Sequence, residues 1–187
     1  LSKMAKAIKD PAVKYAQLFI NNEFVNSADG KTFDAINPAT QAKLAAVQEG
    51  TKADIERAVM AAKQAFKFGS VYRQMDASQR GALLYKLARL VERDMIYLAS
   101  LESANNGKTF INAHGGDLPA VVKILEFYAG AADKYSGSVL PSDGTVFAYT
   151  RYEPVGIVGA ILPWNYPLEM LAIKVGPAIA MGNTIVI

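Results

Sequence analysis

A nearly continuous apolar run at residues 155–162 constrains the fold of this chain most strongly. Its residues do not alternate between apolar and polar, which is typical of a parallel strand buried on both faces. A helical segment is expected from Pro167 to about Met181, and a β-branched run follows at residues 185–187. Because a strand, a helix and a strand in this order cross over right-handedly, the sequence predicts a parallel βαβ unit. The chain ends inside the second strand, so we expect more protein to follow, since half a buried strand leaves backbone groups unpaired.

The preceding part of the chain shows apolar residues at helical spacing. Thr51 and Asp54 have the spacing of a capping box, and a longer helix is expected to begin near Asp76. Residues 105–108, Asn-Asn-Gly-Lys, are interpreted as a helix stop. The clearest amphipathic helix follows Asp117, and its stripe begins at Leu118. We interpret these stripes as core packing. The sequence therefore predicts an amino-terminal helical part at residues 1–136.

Short extended segments flank the helices. Asn21 and Asn22 predict a tight turn between two strands, since asparagine tolerates the left-handed conformation. Residues 146–151 alternate like a strand with one exposed face that carries Phe147 and Tyr149. Exposed aromatic residues suggest a covered surface such as a subunit contact. We therefore expect a strand arm at residues 137–155, ahead of the βαβ unit at 156–187.

Composition excludes several classes of function. The chain has no cysteine, so it holds neither a disulfide nor a thiol nucleophile. Its net charge of +3 comes from 20 basic and 17 acidic residues that are interleaved, which disfavours nucleic-acid binding. No signal peptide or membrane-spanning run is present, so a cytoplasmic protein without membrane contact is the default expectation. The single histidine, His114, is expected in a loop without partners, so no metal site is predicted.

Chemistry is expected in the loop after the first buried strand, because ligands bind beyond the carboxyl ends of parallel strands. This loop holds Trp164 and Asn165 between Pro163 and Pro167. The Asn165 amide is placed to donate to a developing oxyanion, a contact worth roughly 3 to 4 kcal/mol in known sites. The alternative is that Asn165 caps the next helix and Trp164 fills the core. Lys174, within that helix, either extends its amine to the surface or is buried with a partner.

The same loop carries a family resemblance. Residues 162–167 read Leu-Pro-Trp-Asn-Tyr-Pro and are followed by Gly-Pro-Ala at 176–178 and Gly-Asn-Thr at 182–184. This succession resembles the Pro-Trp-Asn-Phe/Tyr-Pro motif of the aldehyde dehydrogenase superfamily, in particular its cytosolic and retinal-oxidising branch. Further matching segments cover essentially the whole chain in order, at residues 19–23, 37–40, 75–78, 102–108, 128–130, 132–134 and 153–156.

The resemblance implies an α/β fold, namely part of a Rossmann-like NAD-binding domain with amino-terminal helices and a β-hairpin oligomerisation arm. It also implies NAD(P)-dependent oxidation of an aldehyde to a carboxylic acid through a cysteine thioester, with the cysteine beyond Ile187. Asn165 matches the oxyanion-stabilising asparagine, and Lys174 matches a lysine assigned to a proton relay. The residues that match the cofactor-lining segment are Ile161, Leu162, Pro163, Trp164 and Asn165.

The resemblance also leaves a structural role open. The omega-crystallins of the mollusc eye lens look like aldehyde dehydrogenases but act by being soluble and concentrated. We therefore expect a homo-oligomeric enzyme, a dimer or tetramer with NAD and a small aldehyde as ligands, with an inactive crystallin as the alternative. A free-standing binding module is disfavoured, because the predicted sheet is unfinished.

Overall fold

The computed structural model describes residues 5–187, and within them it forms seven α-helices and eight short strands. The strands are β1 (Leu18–Ile20), β2 (Glu23–Val25), β3 (Thr32–Ile36), β4 (Lys43–Gln48), β5 (Val139–Leu140), β6 (Ala148–Tyr149), β7 (Ile157–Gly159) and β8 (Thr184–Val186). The helices are α1 (Lys52–Phe66), α2 (Val71–Gln74), α3 (Ala77–Arg93), α4 (Met95–Asn106), α5 (Phe110–Asn112), α6 (Leu118–Ala131) and α7 (Pro167–Ala180). A π-helical turn, Ala113–Asp117, joins α5 to α6.

The core lies where α3, α6 and α7 pack together. Leu84 and Leu125 are each 2% exposed and meet across the α3–α6 contact, while Ala172 contributes from α7. These three positions belong to the stripes that predicted helices, and they lie in the core as expected. The interpretation of the whole stripes as core is wrong for four other members, which are exposed: Ile55, Leu83, Leu87 and Leu90. Burying a leucine side chain of this kind stabilises a fold by about 1.5 to 3 kcal/mol.

Several helix ends form where the sequence predicts them. The Asp54 carboxylate accepts a hydrogen bond from the Thr51 backbone N–H at 2.8 Å, and α1 follows directly. Helix α3 begins after Asp76, and α4 ends at Gly107, which has a left-handed φ of 87°. Local side-chain and backbone chemistry is sufficient for these boundaries.

The strands form two-stranded sheets. Asn21 and Asn22, with φ of 53° and 63°, make the predicted left-handed turn between β1 and β2. Strands β3 and β4 form a second hairpin that the sequence did not reveal, in which Gln41 takes a φ of 61°. The sequence of these two strands does not alternate cleanly between apolar and polar residues. In the structure neither strand has a fully buried face that would require such alternation.

The predicted βαβ unit is present. Strands β7 and β8 pair in parallel across α7, with Ile157 opposite Thr184. The expectation that residues 155–162 are buried on both faces is wrong: β7 covers only Ile157–Gly159 and is half-buried to exposed. Within residues 5–187 this sheet has two strands, so too few neighbours are available to cover it.

Two further expectations need correction. Residues 146–151 form only the two-residue strand β6, paired with β5, although Phe147 and Tyr149 are exposed as expected. His114 does not lie in a loop but in the π-helical turn. Helical backbone there runs on from α5 into α6, so the two glycines after His114 do not break it. Among the helices of residues 5–187, none has the length and apolar character required to traverse a bilayer.

Candidate functional site

The loop between β7 and α7, at residues 160–166, leaves the carboxyl end of a parallel strand. At its start, the Ala160 N–H donates to the carbonyl of Val186 in the neighbouring strand, at 2.9 Å. At its end, Pro167 occupies the first turn of α7, where a missing N–H costs nothing. Between these points the loop projects outward, with Ile161 and Trp164 exposed by 95% and 84%. Trp164 therefore does not fill the core of the described residues, so the alternative that it has a core-packing role is wrong.

Asn165 does not cap helix α7. The helix begins after Tyr166, so the capping position belongs to that residue and not to Asn165. The Asn165 side chain is exposed, and within residues 5–187 its amide makes no hydrogen bond, whereas its backbone carbonyl accepts one. The capping alternative is thus wrong, and the amide is free to meet a ligand.

A hollow of about 560 Å³ lies beside the start of this loop, between β7 and α7. The hollow is open to solvent, and two of its lining residues, Ile161 and Lys174, are exposed. Leu162, Pro163, Trp164 and Asn165 lie outside its lining. The structure therefore brings two of the predicted site residues to one hollow and places the others on the adjacent loop. Lys174 extends to the surface, which decides against its burial with a partner.

Behind the loop lies a buried charged cluster of Glu102, Lys108 and Asp117. The Lys108 ammonium is 3.3 Å from Glu102 Oε1 and also contacts Asp117 Oδ2. The two carboxylates are almost fully buried, and the lysine side chain is 13% exposed. Burial and the neighbouring Asp117 raise the pKa of Glu102 to about 7. One positive charge thus faces two carboxyl groups, of which Glu102 readily holds a proton near neutral pH.

This cluster reaches the loop through two contacts. Lys108 Nζ lies 3.9 Å from the centre of the Tyr166 ring, a cation–π geometry. The Asn106 side chain donates to the backbone carbonyls of Trp164, at 2.8 Å, and Asn165, at 3.2 Å. Sequence reasoning assigned both Asn106 and Lys108 to a helix stop and gave neither of them a role in the site. Charged residues at inward-facing helical positions, as at Glu102, were the available signal.

A parallel βαβ unit with an exposed loop at its strand end places the chain among mixed α/β proteins of the Rossmann-like type. The aldehyde dehydrogenase family profile matches residues 24–187. The chain belongs to the aldehyde dehydrogenase family.

Similar proteins carry the same family name. An aldehyde dehydrogenase of Enchytraeus buchholzi is 54% identical over 185 residues, covering 99% of this chain and 37% of that protein. Aldehyde dehydrogenase 1A1 of Homo sapiens is 52% identical over 180 residues, covering 96% of this chain and 36% of that protein. The chain thus spans little more than a third of the length of these curated relatives. The predicted family and its branch are confirmed.

Solved structures confirm the predicted fold class. The NAD+ complex of an aldehyde dehydrogenase from Bacillus cereus superposes with a TM-score of 0.89 at 44% identity, covering 92% of this chain and 35% of that one. PnpE in complex with nicotinamide adenine dinucleotide gives a TM-score of 0.87 at 38% identity, covering 90% of this chain and 34% of that one. The described residues correspond to part of an α/β aldehyde dehydrogenase fold.

Proposed function

We propose that the protein containing these residues oxidises an aldehyde to a carboxylic acid, with NAD as the hydride acceptor. One observation carries the proposal: an exposed amide without a partner, Asn165, stands at the carboxyl end of β7 in a member of the aldehyde dehydrogenase family. The NAD complexes of similar structures support the choice of cofactor.

The proposed role of Asn165 is electrostatic. Its Nδ2 donates to the substrate carbonyl oxygen as negative charge develops there, and a fixed donor is worth most at that point. Within residues 5–187 no other group competes for this amide, so it need not break a hydrogen bond to act. Lys174, exposed beside the hollow, is proposed to pass a proton towards solvent.

We propose that the hollow holds part of the dinucleotide. Its walls include apolar side chains, Ile161, Ile173 and Pro177, which suit the face of a flat ring, and Lys174 supplies a cation for an anionic ligand. NAD, when bound, supplies an acceptor for hydride. We propose that Ile161 to Asn165 line the cofactor along the adjacent loop.

The thiolate expected from the family resemblance has no counterpart in this sequence, which contains no cysteine. In the proposed scheme a cysteine thiolate elsewhere in the protein would add to the aldehyde carbonyl, and NAD would accept the hydride whose loss turns this adduct into a thioester. Water would then hydrolyse the thioester to the carboxylic acid and the free thiol. The residues of this chain are proposed to bind and orient the cofactor and to stabilise the negative charge that develops on the substrate. Residues 1–136 are proposed to form the amino-terminal helical part of the cofactor-binding domain, and residues 156–187 the first βαβ unit of its NAD-binding fold. Residues 137–155 are proposed to form the arm for homo-oligomer assembly, in a cytoplasmic enzyme.

The test measures NADH formation from acetaldehyde or retinal by the complete protein and by its Asn165→Ala variant. Loss of the oxyanion donor is expected to lower kcat by roughly 100- to 1000-fold. The affinity for NAD should fall by much less, because Asn165 is only one of the five residues proposed to line the cofactor. Asn105→Ala is the matched control, since this exposed asparagine makes no side-chain hydrogen bond within residues 5–187. A folded wild-type protein that forms no NADH would overturn the proposal and favour the crystallin-like role. Unchanged kcat in Asn165→Ala would remove Asn165 from it.

A further inference from the structure

The Trp164–Asn165 backbone is held by one distant side chain. Asn106, the last residue of α4, donates to both carbonyls across 58 and 59 positions of sequence. A primary amide has two N–H donors, so one asparagine is able to satisfy two successive carbonyls. The contact is therefore a clamp on the peptide unit that carries the Asn165 side chain.

Packing does not provide an equivalent restraint. Trp164 is 84% exposed, and Pro163, Asn165 and Tyr166 are exposed as well. Within residues 5–187, Asn106 is the only side chain that forms a hydrogen bond to the loop between Ala160 and Tyr166. Without the clamp, no side-chain hydrogen bond from the described residues would hold this exposed loop between the end of β7 and the start of α7.

A second contact holds the adjoining residue. The Lys108 ammonium lies over the Tyr166 ring, and that ammonium is itself fixed by Glu102 and Asp117. Glu102 stands in α4 and Asp117 ends the π-helical turn, so the lysine is tied to two packed elements. Tyr166 immediately precedes α7. Both contacts thus fix the loop relative to the carboxyl-terminal end of α4.

We propose that Asn106 and Lys108 are positioning residues that set the Asn165 amide at the angle and distance required for catalysis. The proposal rests on the oxyanion role proposed for Asn165. Neither residue touches substrate; each acts by restricting the backbone beneath a group that does. A misplacement of about 1 Å, even from a change away from the chemistry, costs an enzyme up to about 100-fold in rate.

The decisive variant is Asn106→Asp, compared with Asn106→Ala. Aspartate has nearly the same shape as asparagine, but its ionised carboxylate cannot donate and repels the two carbonyls. Both variants are expected to lower kcat by roughly 10- to 100-fold. The KM for NAD is expected to rise by a smaller factor than kcat falls, because the oxyanion contact is made only in the transition state and its loss appears in kcat.

Hydrogen–deuterium exchange of the complete protein gives a readout that does not require activity. The peptide containing residues 163–167 is expected to exchange faster in both variants, while peptides from α3 and α6 are unchanged. Asn105→Ala, one residue earlier in the same helix turn, serves as the control and should match wild type in both measurements.

Several results would overturn the proposal. Wild-type kcat in Asn106→Asp would show that the amide donor is irrelevant to catalysis. A uniform rise in exchange over all helices would make Asn106 a residue of general stability. Unchanged loop exchange in Tyr166→Leu would exclude the cation–π contact as a restraint on the loop and would remove Lys108 from the proposal. If wild type itself forms no NADH, the proposed function fails, whereas the exchange result still tests the clamp.

Discussion

At the scale of the residue, Glu102 has the most unusual surroundings in the described chain. Its side chain is 1% exposed, and its Oε2 has no hydrogen-bond partner within residues 5–187. Burial, followed by the proximity of Asp117, raises its pKa to about 7 because both disfavour the charged form. A carboxyl group with a raised pKa in the folded state binds protons that the unfolded chain has already lost.

This linkage predicts a pH-dependent stability. Because the folded state holds the extra proton between the unfolded and folded pKa values of Glu102, its contribution to the free energy of unfolding should fall as pH rises from about 5 to about 8. Glu102→Gln, which is neutral at every pH, should lack this contribution. The measurement is urea unfolding of both proteins across that range, and the variant should gain on wild type as pH increases.

Two parallel pH profiles would contradict this prediction. They would indicate that Glu102 is charged throughout the range and is fully compensated by Lys108. Asp29→Asn, a change at an exposed turn far from the cluster, is a suitable control, because the pKa of Asp29 is lowered by the backbone N–H of Lys31 and its effect lies at lower pH.

At the scale of the element, the close approach of α3 and α6 depends on Gly81. A β-carbon at this position would lie 2.6 Å from the backbone carbonyl oxygen of Ala129, and backbone cannot turn aside as a flexible side chain can. The two helices therefore approach each other closely only because residue 81 has no side chain. This contact anchors α6, which follows directly from the π-helical turn that ends at Asp117.

Gly81→Ala should destabilise the protein by about 1 to 3 kcal/mol, because the added methyl group forces the helices apart. The better helix propensity of alanine, up to about 1 kcal/mol, offsets only part of this cost. Thermal or urea unfolding of the purified protein provides the measurement. Gly115→Ala is the control, since nothing lies within 4 Å of a β-carbon there, and it should be neutral or slightly stabilising. Equal stability of wild type and Gly81→Ala would contradict the packing argument.

At the scale of the whole molecule, the β5–β6 ribbon exposes apolar side chains that a stable surface would normally cover. Val139 and Phe147 are exposed by 69% and 73%, and Tyr149 by 65%. A two-stranded ribbon is marginal on its own in water, and contiguous exposed apolar groups mark contact surfaces. These observations support the proposed assembly role of residues 137–155.

Phe147→Glu should therefore weaken self-association of the complete protein, because it places a charge within an apolar contact. Light scattering with size-exclusion chromatography should show a smaller particle for this variant than for wild type. Phe68→Glu, a change at a residue 87% exposed outside the ribbon, is the control and should leave the mass unchanged. An unaltered mass in Phe147→Glu would contradict an assembly role for this ribbon.

Features with local causes could be predicted from the amino-acid sequence. Helix boundaries at Thr51 and Gly107 and the Asn21–Asn22 turn follow from side-chain and backbone chemistry within a few residues. The spacing of the apolar residues was sufficient to predict helices α3, α6 and α7. The succession of strand, helix and strand was sufficient to predict the βαβ unit. The motif at residues 162–167 was sufficient for the family.

Contacts between residues distant in sequence became visible in the folded chain alone. Asn106 reads locally as part of a helix end, yet its amide holds the Trp164–Asn165 backbone 58 residues away. Likewise, nothing in the spacing of Glu102 and Lys108 shows that both are buried with Asp117. Local propensity acts over a few residues, whereas burial and long-range hydrogen bonds depend on how helices pack. For this reason the predicted loop was visible in the sequence, and the residues that hold it were not.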